Sequence, residues 1–177
     1  MTTIEPAPLI DVIVESPQWD AACGAEATVR GALAEAAIAT GKDFTNRTLA
    51  VLLTDDASVR RLNAQWRGID KPTNVLSFAP APHMNDHPGP VQSLGDIAIA
   101  GETTAREAAE EHKPFDHHLA HLAVHGFLHL LGYDHDTGSS AATMEQLERV
   151  ILARLGVPDP YLTHEPAAPR SLQQSRS

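Results

Sequence analysis

Apolar and polar positions alternate along this chain with two different periods. Leu9 to Glu15 is rich in Val and Ile and alternates, which predicts a strand. Thr48 to Thr54, reading Thr-Leu-Ala-Val-Leu-Leu-Thr, predicts a buried strand, and Asn74 to Ala79 and Gly95 to Ala100 predict two more. The helical period appears in Asp20 to Ala39, Ala-rich with Val29, Leu33 and Ala37 on one face and Gly41 as its stop. A second helix, capped by Asp55 or Asp56, is expected to run through Trp66, with Val59, Leu62 and Trp66 inward and Gly68 closing it. Three further helices follow: a polar one from Glu102 to His112, one from Asp116 to Leu131, and one from Ser139 to Leu155 with Met144, Leu147, Val150, Ile151 and Leu155 inward. Pro80 to Pro90, with four prolines and a glycine, is expected to be a surface loop.

Strands lie mostly in the first half and helices in the second. That segregation predicts an α+β fold, a small mixed sheet packed against helices. The 177 residues suit one domain, expected over residues 1–160, and from Val157 on four prolines and a Ser/Gln-rich end predict a disordered tail over residues 161–177. The net charge of −10 opposes broad attraction to nucleic acid or anionic lipid, so a polyanion would need a local basic cluster or a partner to deliver it. Cys23 stands alone and forms no internal disulfide. Met1 to Leu9 has no leader-like pattern, and no segment is apolar enough to span a bilayer, so a cytoplasmic location without a membrane partner is expected.

The chemistry concentrates in His125-Gly126-Phe127-Leu128-His129-Leu130-Leu131-Gly132-Tyr133-Asp134-His135. His125 and His129 are four apart, so a helix stacks them on one face where they can share an ion. Gly132 is placed to end that helix in a left-handed turn and bring His135 back as a third ligand. Three imidazoles leave one tetrahedral position open, as in catalytic zinc, although nickel and other first-row ions also bind imidazole. The same spacing occurs in metzincin peptidases, where a Glu directly after the first His is the general base. Here that position is Gly126, which counts against peptide hydrolysis.

Three blocks occur in a fixed order: Leu62-Asn63-Ala64-Gln65-Trp66-Arg67-Gly68 leading into Lys71-Pro72-Thr73-Asn74-Val75-Leu76-Ser77-Phe78, then Leu94-Gly95-Asp96-Ile97, then the histidine block. Over roughly Val51 to Tyr161 the chain resembles the YbeY family, metal-dependent endoribonucleases of ribosomal RNA maturation. The resemblance implies that His125, His129 and His135 are metal ligands, that Arg67 is functional, and that the substrate is single-stranded ribosomal RNA near the three-prime end of the small-subunit RNA. It also implies a role in ribosome quality control and partners in the small subunit or its proteins. A guanidinium is a planar cationic fork suited to phosphate oxygens, and a bound metal lowers the pKa of its water to about 7, so phosphodiester hydrolysis needs no Glu at position 126.

Two rival readings remain at this point: a metzincin-like peptidase, and a non-catalytic assembly factor whose metal only fixes the fold, which the acidic balance favours. No general base is identified, with Asp134 and Asp136 as nearby candidates. His118 and His121 precede His125 on the same helix and are read as locally bonded or as orienting groups rather than ligands. His83 and His87 read as loop residues. Asp96 is either a site carboxylate or a turn residue, Thr73 and Asn74 either bond substrate or cap a turn, and Met144 is read as core rather than a metzincin-like Met-turn. From Asp55 to Lys71 the basic Arg60, Arg61, Arg67 and Lys71 meet the acidic Asp55, Asp56 and Asp70, a net of only +1.

Overall fold

The computed structural model describes residues 7–22, 24–81 and 89–162. Cys23, His83 and His87 lie outside the described residues, as do most of the proline-rich loop and residues 163–177 of the expected tail. The strands are β1 (Leu9–Val14), β2 (Arg47–Thr54), β3 (Val75–Phe78) and β4 (Gln92–Ala100). The helices are α1 (Ala25–Thr40), α2 (Asp56–Arg67), α3 (Gly101–Glu110), α4 (Phe115–Leu130) and α5 (Gly138–Arg154).

The fold is α+β, with a mixed four-stranded sheet in the order β1-β2-β4-β3. β1, β2 and β4 are parallel, and β3 runs antiparallel to β4 along one edge. Because successive side chains of a strand point to opposite faces, the sheet divides the apolar residues into two sets. Leu49, Val51, Leu53, Ile97 and Ile99 join the main core with α1, α4 and α5, whereas Leu76, Ala98 and Ala100 meet Val59 of α2 on the other face.

Element ends follow from local chemistry. Asp55 caps α2 by accepting from the Ser58 amide at 2.7 Å, and the left-handed Gly68 stops it. Thr137 and Ser140 form a reciprocal capping box at the start of α5.

Four sequence expectations are corrected. The first long helix starts at Ala25 rather than Asp20, because Pro17–Ala21 forms a short 3-10 turn that buries Trp19, whose indole donates to the Thr54 carbonyl at 2.9 Å, and Gly24 follows at φ +88°. β4 begins at Gln92, three residues before the expected start, because Arg47 and Thr48 of β2 pair with Gln92 and Ser93. Trp66 is not core: Val59 and Asn63 take the inward places of α2, and Trp66 is left 66% exposed beside edge strand β3. On α5, Val150 faces outward and Glu148 is wholly buried, in helical register with Met144, Ile151 and Leu152. Met144 is core, as expected.

Candidate metal centre

His118, His121, His125 and His129 repeat at steps of three and four, so α4 carries them as one stripe. The helix ends at Leu130, and Gly132 at φ +93° turns the chain. The Gly132 amide donates to the His129 carbonyl at 3.0 Å and the Tyr133 amide to that of Leu128 at 3.1 Å, which closes the end and returns His135 to the stripe. The rings of His125 and His135 lie 5.1 Å apart at 17°, and those of His129 and His135 5.3 Å apart.

One nitrogen from each of His125, His129 and His135 falls within 4.8 Å of the other two. His125 Nε2 and His129 Nε2 are 3.0 Å apart. Ligands about 2.0–2.1 Å from one tetrahedral zinc stand roughly 3.3 Å from each other, so small ring adjustments, a slight opening of the His125–His129 pair among them, would accommodate an ion. His129 is held below the ordinary imidazole range, first by burial and then by the neighbouring His125 and His135, which favours the neutral, lone-pair form a cation needs. The donor set therefore fits a divalent first-row ion. His121, His125 and Glu148 also cluster within 4.8 Å, but there His121 Nε2 and His125 Nδ1 are already hydrogen-bonded to the Glu148 carboxylate.

Glu148 is the group that sequence reasoning missed. Its carboxylate lies 2.6 Å from His125 Nδ1 and 3.4 Å from His121 Nε2, and it accepts from the Tyr161 hydroxyl. Burial pushes its pKa up, but the bonds from His121, His125 and Tyr161 outweigh that and hold it at about 2. An ionised Glu148 makes His125 Nδ1 the donor, which fixes the tautomer and leaves Nε2 with its lone pair toward His129. Tyr161, where the tail was expected to begin, is thus part of this centre. Burial and then Glu148 push its phenol pKa up, so it stays a donor. The signal available in the sequence was an acidic residue at an inward helical position of α5.

The family model described as Endoribonuclease YbeY matches residues 17–156. A curated Nitrobacter hamburgensis protein named Endoribonuclease YbeY is 57% identical over 168 residues, covering 93% of this chain and 88% of the relative. A Rhodopseudomonas palustris protein of the same name is 58% identical over 155 residues, covering 87% and 92%. The chain belongs to the YbeY family. A solution structure of a Thermotoga maritima protein is also similar, with TM-score 0.49 and 19% identity over 90% of this chain and 99% of that one.

The residues that carried the YbeY resemblance are arranged around β3. Arg67, at the end of α2, donates from Nη2 to the Ser77 carbonyl at 3.2 Å, and the Ser77 hydroxyl donates to the Gly126 carbonyl at 2.8 Å, one residue from His125. A Cβ at Gly126 would stand 3.1 Å from Ile97 Cγ2 and from Ser77 Oγ. Position 126 thus faces the sheet, and glycine there lets α4 approach it. Asn74 accepts from the Val75 amide at the start of β3 and donates to Glu107, which in turn holds His118 Nε2 at 2.7 Å. Thr73 makes no side-chain hydrogen bond among the described residues, and Asp96 is exposed on β4 and not joined to the histidines. The pKa of Asp134 is lowered by bonds from Ser140 and the Asp136 amide, which weakens it as a base. Asp136 is exposed. A cavity of about 540 Å³ lies beside Trp19, and one of about 430 Å³ lies between the α3–α4 turn and Val157–Leu162, where His118 and His121 of the stripe line it. His125, His129 and His135 are a group that could hold a metal ion, which makes them the candidate site. No helix among the described residues is long and apolar enough to cross a membrane.

Proposed function

We propose that this chain is a zinc-dependent endoribonuclease that hydrolyses phosphodiester bonds of single-stranded RNA. Its place is the cytoplasm, in maturation of ribosomal RNA at the three-prime end of the small-subunit RNA and in ribosome quality control. The observation that carries the reading is the convergence of His125, His129 and His135 in a chain 57% identical to a protein named Endoribonuclease YbeY. The spacing supports a metzincin-like ligand set, and the all-nitrogen donors suit zinc, with nickel or another first-row ion as the competitor. With a net charge of −10, the chain has no broad field for RNA, so a local basic cluster holds the strand or the small subunit and its proteins present it. Residues 1–160 form the single catalytic domain in this reading, and residues 161–177 are its tail, with Tyr161 tied back to Glu148.

A divalent ion on the three nitrogens supplies Lewis acidity toward a phosphoryl oxygen and acidifies water. The chain's own groups do the rest. Glu148 keeps His125 in one tautomer and one orientation. Arg67 sits where β3 meets the histidine helix and offers a planar cationic fork to a phosphate whose charge rises during attack. Gly126 gives no support to peptide hydrolysis, since its position is packed against Ile97 and Ser77 and leaves no room for a carboxylate. The test is metal analysis of the purified full chain, coupled to cleavage assays on single-stranded RNA and on casein. RNA products that vanish with chelator are expected, whereas peptide products without RNA products would overturn the reading.

A further inference from the structure

Trp66 is a large aromatic side chain left 66% exposed, while Trp19, the other tryptophan of the sequence, is 4% exposed. Its ring does not hang free. It leans on Phe78 at 6.4 Å and 58°, so the indole is held beside β3 with a face open to solvent. Phe78 follows Ser77, and Ser77 is the residue that receives the Arg67 guanidinium on its carbonyl and bonds Gly126 of the histidine helix through its hydroxyl. Indole, guanidinium and histidine helix thus converge on the two residues Ser77 and Phe78 of an edge strand.

The charges of the segment that carries the indole, Asp55 to Lys71, are also selective. Asp70 neutralises Arg60 through a bond of 2.7 Å. Arg67 and Lys71 have no carboxylate within ion-pair distance among the described residues. An aromatic face beside unpaired cations is the arrangement that binds single-stranded nucleic acid, because every base offers a π-face and every linkage a phosphate.

We infer that Trp66 is a base-stacking subsite: an unpaired base of the RNA stacks on its indole while Arg67 holds an adjoining phosphate toward the three histidines. This rests on the RNA reading above. It makes the enzyme favour strands with unpaired bases, since a base inside a duplex has no free face for Trp66.

The test uses the intact protein and two short probes with equal numbers of phosphates: a single-stranded 2′-O-methyl oligoribonucleotide and an abasic chain. With Trp19 buried, the oligonucleotide should quench the emission of Trp66, and the quenching should be absent in Trp66→Ala. In fluorescence anisotropy with labelled oligonucleotide, Trp66→Ala should bind on the order of tenfold more weakly, and Trp66→Phe should recover most of that loss. The abasic chain should bind wild type and Trp66→Ala alike, and Arg67→Ala should weaken both probes. Wild-type binding of the oligonucleotide with no loss in Trp66→Ala would overturn the stacking subsite alone. No binding of either probe by wild type would overturn the RNA reading with it. Quenching by an apolar peptide but not by the oligonucleotide would make this a protein-docking face and overturn the subsite.

Discussion

Glu148 Oε1 lies 2.6 Å from His125 Nδ1, and the carboxylate that makes this contact is completely buried. A buried carboxylate is costly unless every lone pair has a partner. Here His121, His125 and Tyr161 supply the partners, drawn from α4 and from the segment after α5. The charge is thereby committed to holding one imidazole still. Glu148→Gln preserves volume but turns a charged acceptor into a neutral one, so metal affinity should fall by about 10- to 100-fold in competition with a chromophoric chelator. Unchanged affinity would show that the ring is oriented by packing alone.

The same carboxylate sets an acid limit on the fold. Its folded pKa of about 2 lies below the ordinary 4.5. A depressed carboxylate pKa stabilises the native state above the unfolded value, and that stability is lost as pH falls through the folded one. The window is therefore pH 4.5 down to about 2, and the contribution at neutral pH is about 3 kcal/mol. Urea unfolding of metal-stripped protein at a series of pH values should show a decline over this window that is reduced in Glu148→Gln. Equal slopes in both proteins would assign the decline to other groups.

His129→Ala should remove most of the bound metal, because two of the three imidazoles cannot close a tetrahedral site. Metal content by atomic emission in protein purified without chelator checks this. Content at the wild-type level would mean that the ligands lie elsewhere.

Gly126→Glu separates a missing base from a packing requirement. The added side chain would start 3.1 Å from Ile97 and Ser77 and carry a charge into the helix–sheet seam, so a loss of several kcal/mol is expected. Thermal denaturation followed by circular dichroism should show a large drop in Tm and no gain of peptidase activity. A wild-type Tm would mean that the side chain escapes to solvent, and position 126 would again be open to a catalytic reading.

Much of this was readable from spacing. The steps from His125 to His129 and then past Gly132 to His135 depend on helix periodicity and one left-handed turn, both local, and the structure closes the three rings together. The four strands were readable because each carries its own apolar run, though the extension of β4 to Gln92 comes from pairing with β2. Glu148 was hidden because its partners stand 23 and 27 residues earlier and 13 later, and a Glu is read as solvated until those partners are known. Trp66 failed in the opposite sense. Its spacing with Val59 and Leu62 is helical, but the last turn of α2 lies beside an edge strand, where Trp66 stays exposed and no further layer covers it among the described residues.

Arg67 offers the sharpest separation of chemistry from fold. Its guanidinium is exposed, makes one 3.2 Å bond to the Ser77 carbonyl and has no ion pair among the described residues, so its removal should shift Tm and metal content little. If it stabilises the charge that builds on the phosphate, Arg67→Ala should raise the barrier to RNA cleavage by about 2 to 4 kcal/mol, the loss typical when one preorganised donor is removed. Arg67→Lys should restore only part of the rate, since an ammonium is a point charge without the two-pronged grip. The decisive comparison is kcat against KM on single-stranded RNA. A rise in KM with unchanged kcat would assign Arg67 to uniform binding, whereas equal losses in kcat and kcat/KM would place its contact in the transition state. Cleavage by Arg67→Ala at the wild-type rate would pass the phosphate-stabilising role to Arg61 or Lys71, the neighbouring cations of the same segment.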